Sequence, residues 1–339
     1  MRHELLCTRD AWADAALVRR FLAAQLTLGR IALFLGAGVS AALGLPTWGT
    51  LVQRLYASAG RDLPDVPLDL AVQLFLDRVC DNDRGRFRTA VRDALYEGFE
   101  LRPERAPALL TALAALTMGS QRGRASQVVS YNFDDLLEAY LEWHGFLVVP
   151  IAGDRAWADT ADVRVYHPHG LLPYDAARRE ASADIVLDRT SFDAMATEAG
   201  ARWRQTLGGI ARSHSCIFVG LSGGDRGLTS MLAQAWRDHA ALSEGLPYMG
   251  VRFAMTDDGL NGVWANGGVF TVAVDSHDAV APYLMEICQE AAKLRTAANG
   301  IVTSQRTPDD NPNSAQAASQ QSRVDPSADL TWPARSNPA

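Results

Sequence analysis

Short apolar runs alternate along this chain with longer segments in which apolar residues recur every three or four positions. The short runs predict buried strands at 31–35, 128–130, 146–149, 163–166, 216–219, 249–254 and 269–274, with one more extended piece at 185–187. The longer segments predict amphipathic helices at about 11–28, 47–58, 67–80, 83–98, 104–118, 133–144, 190–211, 227–241 and 278–296. This alternation predicts an α/β fold, a Rossmann-like doubly wound parallel sheet.

Two segments depart from the alternation and define the domain organisation. Residues 62–119 show only helical patterns, which predicts a helical subdomain inserted between the first two strands. Such a block either covers a site or forms a plain helical layer, and the sequence leaves both interpretations open. Residues 298–339 hold too few apolar side chains to offset the entropy of ordering them. We therefore predict a domain over 1–297 and a polar tail that is disordered alone, in which Trp332 either anchors the tail to a partner or is idle.

Composition narrows the class of protein. A formal net charge of −7 argues against a surface that coats nucleic acid, and 48% hydrophobic with 21% charged residues is typical of a soluble globular protein. The four cysteines are far apart and form no Cys-x-x-Cys pair, so the sequence predicts neither a zinc ribbon nor a disulfide framework. We find no signal-peptide pattern and no apolar run of membrane-spanning length, and we expect a cytoplasmic location without membrane contact.

Four predicted strand ends carry glycine-rich or polar sequence, namely Gly36–Ser40, Tyr131–Asp134, His167–Gly170 and Gly220–Asp225. Ligands of open α/β sheets bind beyond the carboxyl ends of the strands, so these loops predict one site. The glycines of the first loop allow close approach of a phosphate to the backbone, and a helix starting there would direct free N–H groups at it.

Each of these features also has a purely structural interpretation. A Gly-x-Gly sequence often marks only a tight turn. Asn132 suits a turn or a helix cap, and Asp134 suits the first turn of a helix. His167 and His169 are both of the type found as buried structural histidines. The coincidence of four such loops at one sheet edge is what favours function.

The order of these motifs resembles that of the sirtuins. The motifs are Gly36-Ala37-Gly38-x-Ser40, Gly44-x-Pro46, Asn132-x-Asp134, His169-Gly170 and Gly220-x-Ser222. The chain resembles more closely the bacterial SIR2-like proteins that carry Gly-Leu-Pro-Thr-Trp and Tyr-Asn-x-Asp. The resemblance covers about residues 30–275 and rests on these motifs, since the intervening sequence adds little.

The resemblance implies a role for each matching residue in binding NAD. It assigns the pyrophosphate to Gly36, Ala37, Gly38 and Ser40, the nicotinamide side to Pro46, Thr47 and Trp48, and the adenosine half to Gly220 and Ser222. It further implies that Asn132 positions the attacking water or the ribose hydroxyls with support from Asp134. His169 would act as the general base near the nicotinamide ribose, while Asp225 would hold the ribose or fix its loop.

The chain departs from the sirtuin deacetylases in lacking their paired zinc-binding cysteines and a segment that matches the acyl-lysine groove. The resemblance therefore implies a metal-free NAD+ hydrolase that releases nicotinamide and ADP-ribose, as an NAD-depleting effector of bacterial antiphage defence. The nicotinamide leaving group is already cationic in NAD+, so its departure needs no general acid. The reaction requires only a held pyrophosphate, an oriented water and a base. A dehydrogenase is disfavoured, because the full Gly-x-Gly-x-x-Gly pattern is absent.

Two alternative functions remain open at this point. One is an NAD-dependent protein deacylase, and the other is a non-catalytic nucleotide-binding subunit of a defence complex. By analogy with the resembling proteins, we expect a homo-oligomer, a defence partner such as an ATPase, or both, and no direct binding of nucleic acid.

Overall fold

A computed structural model describes residues 8–120, 122–153, 160–197, 200–240, 246–255 and 259–304. Seven strands form one sheet, and every neighbouring pair is parallel. They are β1 Ile31–Leu35, β2 Ala125–Ser130, β3 Val148–Ile151, β4 Val163–Tyr166, β5 Ser215–Val219, β6 Gly250–Met255 and β7 Val269–Val274. The structure thus confirms the predicted α/β fold with a Rossmann-like parallel sheet.

Twelve α-helices lie in the described part of the chain. Before β2 these are α1 Ala15–Thr27, α2 Ala37–Ala42, α3 Trp48–Ser58, α4 Leu68–Arg78, α5 Arg84–Tyr96 and α6 Ala108–Thr117. After β2 they are α7 Leu136–Trp143, α8 Arg189–Ala196, α9 Ala201–Ser213, α10 Arg226–Ala240, α11 Asn261–Asn266 and α12 Val280–Ser304.

The strand order is β3-β4-β2-β1-β5-β6-β7, with β1 near the centre. The chain fills the sheet on one side of β1 with β2, β3 and β4, and then on the other side with β5, β6 and β7. The direction of winding therefore reverses between β1 and β5, and a crevice opens at the carboxyl ends of strands on either side of such a reversal.

Both faces of the sheet are covered by helices, which is why β1 is apolar at every position. Ile31, Leu33 and Leu35 are buried in a core that includes residues of α1, α6, α7 and α12. Ala32 and Phe34 point to the opposite face, where they are buried with residues of α9, α10 and α11. The alternation of side chains along a strand thus divides one apolar run between two helical layers.

The helices between β1 and β2 belong to two different cores. Helices α3, α4 and α5 form a core of their own, together with Leu136 of α7 and Leu172, Ile185 and Leu187 after β4. Helix α6, by contrast, buries Leu110, Leu113 and Leu116 in the core of the sheet. Within 62–119, the separately packed part is therefore α4 and α5, which pack with α3.

Three predicted elements differ from the structure. The extended piece at 185–187 is not a strand. Ile185 and Leu187 are buried in the helical core, while Val186 N donates to His169 O at 2.9 Å and Leu187 N donates to the Ser191 hydroxyl at 3.0 Å. The helix at 190–211 is divided into α8 and α9. The helix expected to begin near residue 11 begins at Ala15, where the Asp14 side chain accepts a hydrogen bond of 2.8 Å from Ala16 N.

Strand and helix ends also shift by a few residues. Strand β3 covers Val148–Ile151 instead of 146–149, and α7 starts at Leu136 instead of 133. Residues before α7 instead form the polar loop that follows β2.

The chain divides into two units, Met1–Ala297 and Ala298–Ala339. The sheet and helices α1 to α11 lie in the first unit. Helix α12 begins in the first unit and ends at Ser304, the last described residue of the second. The rest of the predicted tail, including Trp332, lies outside the described residues, so its disorder stays a prediction. Among the described helices, we find none with both the length and the apolar character needed to cross a membrane.

Candidate functional site

The two glycine loops meet at the point where the winding of the sheet reverses. Gly36 N donates to Val219 O and Gly38 N donates to Gly220 O, each at 2.9 Å. A Cβ added at Gly38 would lie 2.8 Å from Gly220 Cα, and one added at Gly220 would lie 2.5 Å from Val39 N. The glycines are thus required for the contact between the loops. The Gly38 N–H, which was expected to face a pyrophosphate, is bonded to the partner loop.

Ser40 contacts another expected site residue. Its hydroxyl donates a hydrogen bond of 2.5 Å to Asp134 Oδ2, and both residues are buried. Asp134 Oδ1 also accepts a longer bond, of 3.3 Å, from Leu136 N at the start of α7. Burial raises the pKa of Asp134 to about 6, even though the Ser40 hydrogen bond favours the carboxylate.

Asn132 is tied to the loop after β1 and retains one unused acceptor. Its Nδ2 donates to Gly36 O at 3.0 Å. Its Oδ1 is buried and has no hydrogen-bond partner among the described residues. A buried acceptor without a donor is costly, so this oxygen is suited to a hydroxyl or water that a ligand brings.

A second pair lies directly behind Asn132. His167 Nδ1 is 3.1 Å from the main-chain oxygen of Asn132, and His167 Nε2 is 2.5 Å from Glu138 Oε1. Both side chains are almost fully buried, at 0% and 2% exposure. Our sequence analysis did not identify Glu138, although an acid beside Leu137 and Leu141 on a buried helix was a usable signal.

His169 forms a contact with Asp225, from the loop after β5. Their Nε2 and Oδ2 atoms are 3.0 Å apart. Asp225 also accepts a 2.9 Å hydrogen bond from Leu228 N in the first turn of α10. Burial opposes ionisation of Asp225, but His169 and the main-chain N–H groups outweigh it and lower the pKa of that carboxyl. The Tyr131 ring packs edge-on against His169 at 4.9 Å between centroids.

A cavity of about 540 Å³ adjoins His169 and Asp225. Its other walls are formed mainly by α8, α9 and the start of α10. The aromatic residues Tyr131, Phe192 and Trp203 line it, together with charged residues of both signs, namely Arg189, Arg204, Arg226, Asp69 and Asp193. The volume lies within the range of small-molecule sites, and the mixture of aromatic residues and arginines suits a ligand with planar and anionic parts.

Residues 126–257 match the family model of the SIR2-like domain. The match runs from β2 through β6, and it contains Asn132, His169 and Asp225. The loop Gly36–Ser40 precedes the matched range. A SIR2-like domain indicates an NAD-related activity. A search of curated proteins found none that matches this chain.

The range that matches the SIR2-like family model and the β1 loop together bring part of the expected site into contact. Asn132 contacts Gly36, Ser40 contacts Asp134, and His169 contacts Asp225 in the wall of the cavity. The neighbouring strands β2 and β4 connect these groups, because Tyr131 packs on His169 and His167 contacts the Asn132 carbonyl.

Of the thirteen expected residues, His169 and Asp225 line the cavity, and the other eleven, Asn132 among them, do not. Pro46, Thr47 and Trp48 lie at the start of α3, where the Thr47 hydroxyl caps the helix at 3.4 Å from Thr50 N and Trp48 packs against the helical core. Ser222 is exposed, and its hydroxyl accepts a bond of 3.3 Å from Gly224 N. Their roles in binding NAD stay predictions.

No group of three or more His, Cys, Asp or Glu side chains able to hold a metal ion is found in the part of the chain that the structure describes. Cys80, Cys216 and Cys288 are each buried and free, while Cys7 lies outside the described residues.

Proposed function

We propose that this protein hydrolyses NAD+ at the carboxyl ends of β1, β2, β4 and β5, and releases nicotinamide and ADP-ribose. The observation that carries the proposal is the His169–Asp225 pair in the wall of the 540 Å³ cavity. A histidine held by a carboxylate at the edge of a small-molecule cavity is suited to take a proton from water. The SIR2-like match supplies NAD as the substrate class.

The chemistry assigns distinct work to each residue. With Nε2 placed 3.0 Å from Asp225 Oδ2, the His169 ring offers Nδ1 as the nitrogen that accepts a proton in the proposed reaction. Water attacks C1′ of the nicotinamide ribose while the C1′–nitrogen bond breaks. The bonding electrons pass to the nicotinamide ring and neutralise it, and the proton of the water passes to His169.

Asn132 provides the second contact to the reacting region. Its Oδ1 is available to accept a hydrogen bond from the attacking water or from a ribose hydroxyl. The Nδ2–Gly36 bond fixes the amide so that the oxygen, and not the nitrogen, is the free atom. Orientation of water by such a group lowers the entropic part of the barrier.

The test measures nicotinamide and ADP-ribose formed from NAD by the purified full chain. We expect His169→Ala and Asn132→Ala each to reduce kcat at least about 100-fold, the scale of a lost general base or positioning group. The matched control is His144→Ala, since His144 is exposed at the end of α7 and should leave the rate unchanged. Full activity in the His169→Ala variant would refute the proposed chemistry.

The same assay distinguishes the alternatives. Nicotinamide release that requires an acylated peptide would identify a protein deacylase. Binding of NAD in calorimetry without product under any condition would identify a non-catalytic nucleotide-binding subunit.

We further propose that this activity depletes NAD in bacteria infected by phage. This proposal rests on the resemblance described above. Cells that express the wild-type chain should lose NAD after infection, whereas cells that express the His169→Ala variant should keep it. Equal NAD levels in the two cultures would remove the defence role without affecting the assignment of the reaction. Light scattering of the purified chain, with and without a candidate ATPase, tests the expected oligomer and partner.

A further inference from the structure

The buried pair of Glu138 and His167 is not used by the reaction proposed above. His167 Nε2 lies 2.5 Å from Glu138 Oε1, and neither side chain is more than 2% exposed. Glu138 lies on the buried face of α7, beside Leu137 and Leu141. Burying two ionisable groups is costly, and such a pair is weak grounds for stability. Its presence needs another reason.

The contacts of His167 point to Asn132. His167 Nδ1 faces the main-chain oxygen of Asn132 at 3.1 Å, and a carbonyl can only accept, so Nδ1 carries a proton. Glu138 holds the other ring nitrogen and thereby fixes the orientation of the ring. Burial opposes a charge on this ring, but Glu138 and the Asn132 carbonyl outweigh burial and raise the pKa of His167.

Asn132 is then held at three points. The His167 ring binds its carbonyl, Ser130 Oγ accepts from its main-chain N–H at 3.3 Å, and Gly36 O accepts from its Nδ2 at 3.0 Å. The remaining polar atom, Oδ1, has no partner among the described residues. The three contacts leave that oxygen in one defined position.

We propose that Glu138 and His167 are positioning residues that hold the Asn132 loop so that Asn132 Oδ1 meets the reacting region. This inference rests on the proposed function, because it assigns Asn132 a role in the reaction. It goes beyond that function in naming two residues whose side chains are almost fully buried behind Asn132. Supporting groups of this kind usually affect activity by 10- to 100-fold.

The decisive variant replaces the whole pair by apolar side chains of similar size, Glu138→Leu with His167→Phe. Removing both partners leaves no unpaired charge in the core, so we expect the fold and its melting temperature to persist. The Asn132 carbonyl loses its donor, and we expect kcat to fall about 10-fold or more while KM for NAD changes less than about twofold.

A conservative variant and a matched control accompany it. Glu138→Gln keeps a hydrogen-bond partner for Nε2 and should retain most of kcat. His214→Phe is the control, because His214 Nδ1 also contacts a main-chain oxygen, that of Ile210 at 3.1 Å, but His214 follows the last residue of α9 and does not line the cavity. A folded double variant with wild-type kcat would overturn the proposal.

A second measurement does not depend on turnover. In wild-type protein labelled with ¹⁵N-histidine and ¹³C-carbonyl, we expect His167 Nδ1 to be protonated and the Asn132 carbonyl resonance to carry the shift of a hydrogen-bonded group. An unprotonated Nδ1 would overturn the proposal even if the double variant failed to fold. If the wild-type chain showed no turnover, the proposed function would fail, while these resonances would still report whether the pair holds Asn132.

Discussion

Asp134 shows how a single buried carboxyl makes this fold sensitive to pH. Its two described hydrogen-bond donors are the Ser40 hydroxyl and the Leu136 N–H, both neutral groups. Neutral donors compensate burial only in part, and burial raises the pKa of Asp134 from 3.8 to about 6. The folded protein therefore binds this proton more tightly than the unfolded chain does.

This difference predicts a pH-dependent effect of Asp134→Asn. Between about pH 4 and pH 6 the folded protein keeps a proton that the unfolded chain releases, so the wild-type free energy of unfolding falls as pH rises through this window. The Asp134→Asn variant has no ionisable group at this position, so its free energy of unfolding does not fall for this reason as pH rises. We expect its free energy of unfolding, relative to wild type, to increase by about 2 kcal/mol between pH 4 and pH 7, as measured by urea titrations.

A second variant tests the cause. Ser40→Ala removes the hydrogen bond that favours the carboxylate, so the window should move to higher pH. A difference between Asp134→Asn and wild type that does not change with pH would contradict the expected ionisation.

Residue types at the site could be predicted from the sequence, but their partners could not. Asn132, Asp134, His169 and Asp225 were identified because they follow apolar strand segments. Nothing in the local pattern indicates that the Ser40 hydroxyl bonds to Asp134, 94 positions away. Glu138 was missed because a single acid within an apolar helix face is usually interpreted as solvated.

At the level of the elements, the loops after β1 and β5 are joined through their glycines. Gly220 has φ of +70°, and a Cβ there would meet the main chain of Val39 at 2.5 Å. Main-chain atoms at the start of α2 cannot move aside as a side chain does. This contact fixes the two strands at the reversal of the sheet, next to Asn132.

We therefore predict a large effect of Gly220→Ala on stability, with Gly145→Ala as the matched control. Gly145 has φ of +86° with no atom within 4 Å of a Cβ, so the control measures only the cost of a left-handed alanine. That cost is about 1 kcal/mol, while the added clash should bring the loss for Gly220→Ala to roughly 2–4 kcal/mol in urea unfolding. Equal decreases in the free energy of unfolding of Gly220→Ala and Gly145→Ala would show that the two loops can move apart without loss of stability.

The strands and helices predicted best are those whose hydrophobic pattern matches the way in which the fold buries them. Strand β1 was placed without error because five consecutive buried positions leave no other interpretation. The prediction at 185–187 failed because Ile185 and Leu187 are buried by helices and not by sheet pairing. Three consecutive apolar residues indicate burial, but the sequence does not show whether helices or neighbouring strands bury them.

On the scale of the whole molecule, one face of α5 connects the helical core to the chain between His169 and the cavity wall. The residues of this face are Arg84, Arg88, Arg92 and Tyr96, which recur every fourth position along the helix. Arg88 donates to the Ser182 and Ala183 carbonyls, and Arg92 to those of Pro173 and Tyr174. Tyr96 donates to Leu172 O, and Arg84 pairs with Asp188 at 2.6 Å.

The Arg84–Asp188 pair is the contact in this row closest to the cavity. The Asp188 side chain is fully buried and caps α8 through Ser191 N at 3.1 Å, and Phe192 of the same helix lines the cavity. The helical insertion therefore supports a wall of the candidate site from behind. Of the two roles that the sequence left open, this contact favours involvement in the site over a plain layer.

Arg84→Ala tests this connection. Loss of the guanidinium leaves a buried carboxylate without its cation, and because Arg84 is itself 40% exposed we expect a loss of about 1–3 kcal/mol in the free energy of unfolding. Hydrogen exchange should increase locally in α8, and KM for NAD should rise more than kcat falls, since the cavity wall loosens while His169 and Asp225 remain. Arg86→Ala is the control on the same helix, because both Arg86 and its partner Asp81 are exposed, at 59% and 78%. Faster exchange spread evenly over the fold, or an equal effect of Arg86→Ala, would mean that α5 supports the molecule in general and not the cavity wall.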